Sequence, residues 1–87
     1  MKLQIVERSG ELFKGHVSSV TVPLLDGELG ILPGHTPLLA VLQPGQVRFV
    51  TNKGEEKSVQ TGRGFVTLDS DEIMVVVDPY PVADDSE

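Results

Sequence analysis

Apolar and polar positions alternate along this chain in short stretches, each ended by a turn signal. Leu3 and Ile5 alternate with Lys2 and Gln4, and Val6 leads into Glu7-Arg8-Ser9-Gly10. That pattern predicts a first strand with one buried face, then a turn. Leu12 and Phe13 open a second strand, interrupted by Gly15. Val20 and Val22 alternate with Ser19, Thr21 and Pro23, but Val17 is one residue out of phase, which predicts a bulge near Ser18-Ser19. Residues 38–42, Leu-Leu-Ala-Val-Leu, are apolar throughout. A strand buried on both faces and one turn of buried helix look alike at that length; Pro37 before it and Pro44-Gly45 after it favour the strand.

Val47 and Phe49 alternate with Gln46 and Arg48, and Asn52-Lys53-Gly54 predicts a hairpin loop. Residues 55–61 form its polar return strand, with Val59 pointing inward. Gly62-Arg63-Gly64 turns the chain into a strand carrying Phe65, Val66 and Leu68. Asp69-Ser70-Asp71 turns it again into a β-branched strand over 72–78, which Pro79-Tyr80-Pro81 ends. No window carries the apolar repeat of an amphipathic helix. Roughly eight to ten short strands with turns between them predict an all-β, two-sheet sandwich or a barrel. The expected inter-sheet core is Val20, Val22, Leu29, Ile31, Leu39, Val41, Val47, Phe49, Phe65, Val75 and Val77.

The run over residues 23–37 stands apart. It sets Gly27, Gly30, Gly34, Pro23, Pro33 and Pro37 among Leu24, Leu25, Leu29, Ile31 and Leu32. So many residues that turn the chain or remove a backbone donor exclude a helix; the chain turns, makes a short strand and turns again. Its few polar residues are Asp26, Glu28, His35 and Thr36.

Eighty-seven residues make one small domain, near the lower end of what an apolar core stabilises alone, so a partner surface is expected to contribute. Cysteine is absent, which excludes disulfides and thiolate metal sites. A formal charge of −6 argues against a nucleic-acid partner, since such binders need a basic face. Asp84, Asp85 and Glu87 lie in the last four residues. The domain is therefore expected over 1–80, with a solvated, flexible acidic tail over 81–87. No apolar run approaches the roughly 20 residues needed to cross a bilayer, and the first residues lack the apolar stretch of a signal peptide. A soluble protein is expected.

Catalysis finds little footing. His35 with Asp26 and Glu28 is conceivable as a base with its orienting acid, yet no nucleophile lies in the stretch and no serine has a signature context. His16 and His35 lack metal-ligand spacing. Thr61-Gly62-Arg63-Gly64 loosely resembles a phosphate-cradling loop, but such a loop opens a helix, and here a strand follows. Catalytic, cofactor and metal residues are all expected to be absent. Glu28 and His35 are either solvated loop residues or recognition groups held on tight turns at a sandwich rim. The residues alone leave that choice open.

The central stretch, Asp26-Gly27-Glu28-Leu29-Gly30-Ile31-Leu32-Pro33-Gly34-His35-Thr36-Pro37-Leu38-Leu39, followed by Pro44-Gly45-Gln46-Val47-Arg48, closely resembles the epsilon subunit of F-type ATP synthases. Phe13-Lys14-Gly15-His16-Val17 and Gly64-Phe65-Val66 are also similar to that family's pattern, and the resemblance covers about residues 3 to 78. Gly62-Arg63-Gly64 departs from it where two adjacent glycines are common.

The resemblance implies a sandwich of about ten short strands at the foot of the central stalk. It implies a non-catalytic rotor subunit that couples the gamma subunit to the c-ring of a proton-translocating complex. By motif position, Glu28 and Gly30 are implied as the c-ring contact, and His35, Leu38 and Ala40 as part of the gamma-facing surface. The implied location is peripheral, on the cytoplasmic face of the bacterial inner or another energy-transducing membrane. Family members usually continue into a C-terminal helical hairpin that inhibits hydrolysis and in some binds ATP. Pro79, Pro81 and the acidic end lead to the expectation of a naturally short form without hairpin or ATP binding. The alternative is an unrelated small acidic sandwich that serves as a protein-binding adaptor.

Overall fold

The computed structural model describes residues 1–80, and the expected acidic tail over 81–87 lies outside them. Eight strands and no helix occupy the described residues: β1 (Lys2–Glu7), β2 (Gly10–Leu24), β3 (Gly27–Ile31), β4 (Leu38–Leu42), β5 (Gly45–Thr51), β6 (Glu56–Thr61), β7 (Gly64–Asp69) and β8 (Glu72–Val77). The organiser is β2, a single strand of 15 residues that Gly15 does not interrupt. Its first half pairs with β1 (Ile5 opposite Phe13), and its second half pairs with β3 and β5 (Val20 opposite Ile31 and Phe49). The strands hydrogen-bond as one continuous network folded into two layers: the first sheet runs β4-β7-β8-β1 into the start of β2, the second runs β3-β2-β5-β6, and a bridge between Leu24 and Leu42 also joins β2 to β4. A register shift between Val17 and Ser19 is the predicted bulge, placed where β2 passes from one sheet to the other.

The alternation read from the sequence places the core. Leu3, Ile5, Val66, Leu68, Ile73, Val75 and Val77 from the first sheet join Val17, Val20, Val22, Ile31, Val47 and Phe49 from the second in one buried cluster. The Phe13 ring packs at a tilt on Phe49, with centroids 4.4 Å apart. Three positions expected in the core are not there. Leu39 is 73% exposed, Val41 66% and Phe65 43%. Strand β4 is buried on one face only, through Leu42 and the half-buried Leu38 and Ala40, so its outer face is as apolar as its inner one. Leu29 is half-buried against the core.

The turns follow local chemistry. Ser70 and Asp71 both take left-handed backbone angles (φ 54° and 60°) between the paired Asp69 and Glu72, a two-residue hairpin whose twist suits the strands it joins. At the opposite end, Gly62-Arg63-Gly64 crosses the end of β8. The Gly62 amide donates to the Asp78 carbonyl and the Asp78 amide to the Arg63 carbonyl, each at 2.8 Å. A Cβ on Gly64 would stand 2.0 Å from the Val76 carbonyl oxygen, and one on Gly62 would stand 2.8 Å from that of Pro79. Both glycines are required there because two backbones meet.

Candidate functional site

Strand β3 carries Glu28 and Gly30 on one face and Leu29 and Ile31 on the other, as period-two geometry demands. The inner pair packs on the core, so Glu28 and Gly30 share the outer face of the second sheet. There Gly30 lies opposite Thr21, and Thr21 lies opposite Arg48 on β5. The Arg48 guanidinium reaches back over β2 to donate to Glu28 Oε1 at 2.6 Å, a charge-assisted contact in which both side chains stay about half exposed. A shallow depression of mixed lining, with Ser19, Thr21, Gln46 and Arg48 beside Phe49 and Val50, adjoins it. Gly30 has no fold-imposed reason to be glycine: a Cβ there meets nothing within 4 Å, and its backbone does not need positive φ. Its effect is to leave bare backbone beside the ion pair, open to close approach from outside.

His35 belongs to the other end of β3. Residues 32–37 carry the chain from β3 in the second sheet to β4 in the first. The turn closes through the His35 amide, which donates to the Leu32 carbonyl at 3.1 Å. The ring Nδ1 lies 2.7 Å from the Thr36 carbonyl oxygen. A carbonyl only accepts, so Nδ1 carries the hydrogen at this contact. A second anchor comes from the β7–β8 hairpin, where the Asp71 carboxylate accepts from the Gly34 amide at 3.0 Å. Glu28, by contrast, pairs with Pro23, whose carbonyl accepts from Gln43 at the far end of the sandwich. The two recognition groups that the sequence set in one stretch are thus held at opposite ends of one short strand.

Leu38 and Ala40 face the core side of β4 and are half-buried against it. Their neighbours Leu39 and Val41 take the outer face, which the sequence reading did not anticipate. Register extends that face into a row across four strands: Val41 opposite Phe65, Phe65 opposite Val76, and Val76 opposite Val6. Met74, 38% exposed, lies beside the row opposite Thr67, which is itself opposite Leu39. The outer face of the first sheet thus carries an apolar row that gives way to Lys2, Gln4, Thr67, Asp69 and Glu72 toward the β7–β8 hairpin, whereas the outer face of the second is mainly polar.

The Glu28 carboxylate is paired with Arg48 and the His35 ring lies on the Thr36 carbonyl, so His35 and this second carboxylate face different partners. Among the described residues no group of three or more His, Asp or Glu side chains is placed to hold a metal ion, and no helix is long and apolar enough to cross a membrane.

Comparison with known proteins agrees with this geometry. Residues 1–80 match the family model described as the ATP synthase delta/epsilon chain beta-sandwich domain. The ATP synthase epsilon chain of Wolinella succinogenes is 39% identical over 88 residues, an alignment that takes in 100% of this chain and 67% of the relative. Among solved structures, a chain of the Euglena gracilis mitochondrial ATP synthase (OSCP/F1/c-ring, rotational state 1) superposes with a TM-score of 0.80 at 21% identity, covering 86% of this chain and 48% of that one. A chain of the Tetrahymena thermophila mitochondrial ATP synthase central stalk and c-ring gives 0.73 at 21% identity, covering 100% and 73%. At such identity the two structures speak for the fold. The present chain thus spans about half the length of the Euglena chain and two thirds of the Wolinella one.

Proposed function

The chain belongs to the ATP synthase delta/epsilon chain family, and from that membership we propose that it is a non-catalytic subunit of the central stalk that couples rotation of the gamma subunit to the c-ring. Membership removes the alternative of an unrelated adaptor sharing only the fold. The observation that carries the reading is the outward apolar row Val41-Phe65-Val76-Val6, with Leu39 and Met74 beside it. In this row Val41 and Phe65 are exposed and Val76 and Val6 half-buried; an outward apolar row of this kind is costly in water and marks a surface that a partner covers. A stalk subunit fixed to a shaft needs such a surface, because torque must pass through an interface that does not slip.

In this reading His35, Leu38 and Ala40 serve the gamma side in two ways. His35 presents a ring nitrogen at the edge of the apolar face. Leu38 and Ala40 hold β4 on the core so that Leu39 and Val41 point outward. Glu28 and Gly30 serve the c-ring side, where the polar face and the β2–β3 turn suit polar loops. The exposed Leu25 at the tip of that turn, 81% accessible, adds an apolar contact. The chain would then sit as a peripheral subunit on the cytoplasmic face of the bacterial inner membrane, or of another energy-transducing membrane.

The test is reconstitution. A complex rebuilt with this chain is expected to pump protons on ATP addition, and one rebuilt without it to hydrolyse ATP with little pumping. Equal pumping in both would refute the coupling role.

A further inference from the structure

The β7–β8 hairpin is hydrogen-bonded to the segment bearing His35 through one side chain, that of Asp71. Asp71 makes two hydrogen bonds of different kinds. Its carbonyl accepts from the Lys2 amide at 2.9 Å, which ties the hairpin to β1. Its carboxylate accepts from the Gly34 amide at 3.0 Å, 37 residues away in sequence. Gly34 itself is left-handed (φ 85°) and precedes His35, whose amide closes the turn onto Leu32. Pro33 and Pro37 in the same segment have no amide to offer. The segment that joins the two sheets is thus pinned, one residue before the histidine, to a hairpin on the rim of the apolar face.

The hairpin is not built for its own economy. A two-residue turn with both residues left-handed favours Asn, Asp or Gly, and glycine best at the second position. Asp71 occupies that second position (φ 60°) although it is flanked by Asp69 and Glu72, two further negative charges. The contact that a glycine would lose there is the one to Gly34.

We propose that Asp71 is a positioning residue: its carboxylate clips the 32–37 segment to the β7–β8 hairpin and so fixes where His35 stands at the edge of the apolar face. The part of this that concerns gamma rests on the proposed function; the clip itself does not. An exposed hydrogen bond of this kind restrains local opening by roughly three- to tenfold.

The experiment compares Asp71→Gly and Asp71→Asn in the 87-residue chain. Asn keeps an acceptor oxygen and tolerates the left-handed angle, whereas Gly keeps the hairpin and removes the acceptor. In Asp71→Gly the Gly34 amide is expected to exchange with solvent roughly three- to tenfold faster and the His35 ring resonances to shift, with the melting temperature unchanged or raised. In Asp71→Asn exchange and resonances should stay native. Native exchange in Asp71→Gly, or equal loss in both variants, overturns the clip. Affinity for the gamma subunit is the second arm, with His35→Ala as reference. Weaker binding by both Asp71→Gly and His35→Ala extends the clip to assembly. A loosened segment with unchanged affinity in both leaves the clip standing and removes His35 from the gamma surface.

Discussion

Glu28 and Arg48 lie 20 residues apart in sequence, yet their side chains meet at 2.6 Å across the back of β2. Register brings them there: Glu28 is opposite Pro23 and Arg48 is opposite Thr21, two positions apart on the same face of the strand between them. Both groups are about half exposed, so water and salt screen the pair and its contribution is about 0.2–1 kcal/mol. Its role is orientation, since it holds one carboxylate in place beside the bare backbone at Gly30.

Removing either partner should therefore barely affect folding. Arg48→Ala and Glu28→Ala are expected to lower stability by no more than about 1 kcal/mol in chemical denaturation. Glu28→Lys reverses the charge that faces Arg48 and the proposed c-ring side, so it should leave the domain folded and weaken ATP-driven proton pumping in the reconstituted complex. Unchanged pumping would count against Glu28 as a ring contact.

The two core-candidate phenylalanines should part company. Phe49 is 3% exposed and packs on Phe13, so Phe49→Ala should cost about 3–5 kcal/mol, a large share of a small domain's stability. Phe65 is 43% exposed on the outer face, and Phe65→Ala should cost about 1–2 kcal/mol. Equilibrium urea unfolding of the two variants checks the difference, and equal losses would contradict the assignment of faces.

Glycines offer a sharper contrast. Gly64→Ala forces a methyl group onto the Val76 backbone, which cannot step aside without breaking the β7–β8 pairing, so loss of the folded state or a large drop in melting temperature is expected. Gly30→Ala meets open space and should melt as the parent does. If a bulkier Gly30→Leu also folds normally but couples poorly, the bare backbone there is kept for a partner.

Much of the fold was legible because alternation was clean wherever one face was polar. Gln46 and Arg48 against Val47 and Phe49 fixed β5, Ser18-Ser19 betrayed the bulge, and Asn52-Lys53-Gly54 closed its hairpin, with Gly54 left-handed. Strand β4 defeated the same rule. When both faces are apolar the period-two signal vanishes, and a docking surface imitates a buried strand. Size gives no clue either, since the inner face takes Leu38, Ala40 and Leu42 and the outer face Leu39 and Val41. Phe65 was misjudged for the same reason, as an aromatic assumed to be core. The motif residues Glu28 and His35 stood out in the sequence, but their separation did not, because it depends on pairings to β5 and to the β7–β8 hairpin that no local pattern encodes. Asp71 looked like an ordinary turn residue for want of any sign of its partner.

The apolar outer face is the centre of this account, and binding to gamma tests it most directly. Titration of the purified gamma subunit with the chain and with Val41→Lys, each first shown to melt as a folded domain, separates surface from scaffold. Val41 is 66% exposed, so the lysine costs the fold little and places a charge at the β4 end of the row, beside Phe65. The account predicts saturable binding by the parent chain and at least a hundredfold weaker binding by the variant, roughly the 3 kcal/mol penalty of a charge desolvated in an apolar interface. Equal affinity of the two, or no binding by the parent chain, would contradict it.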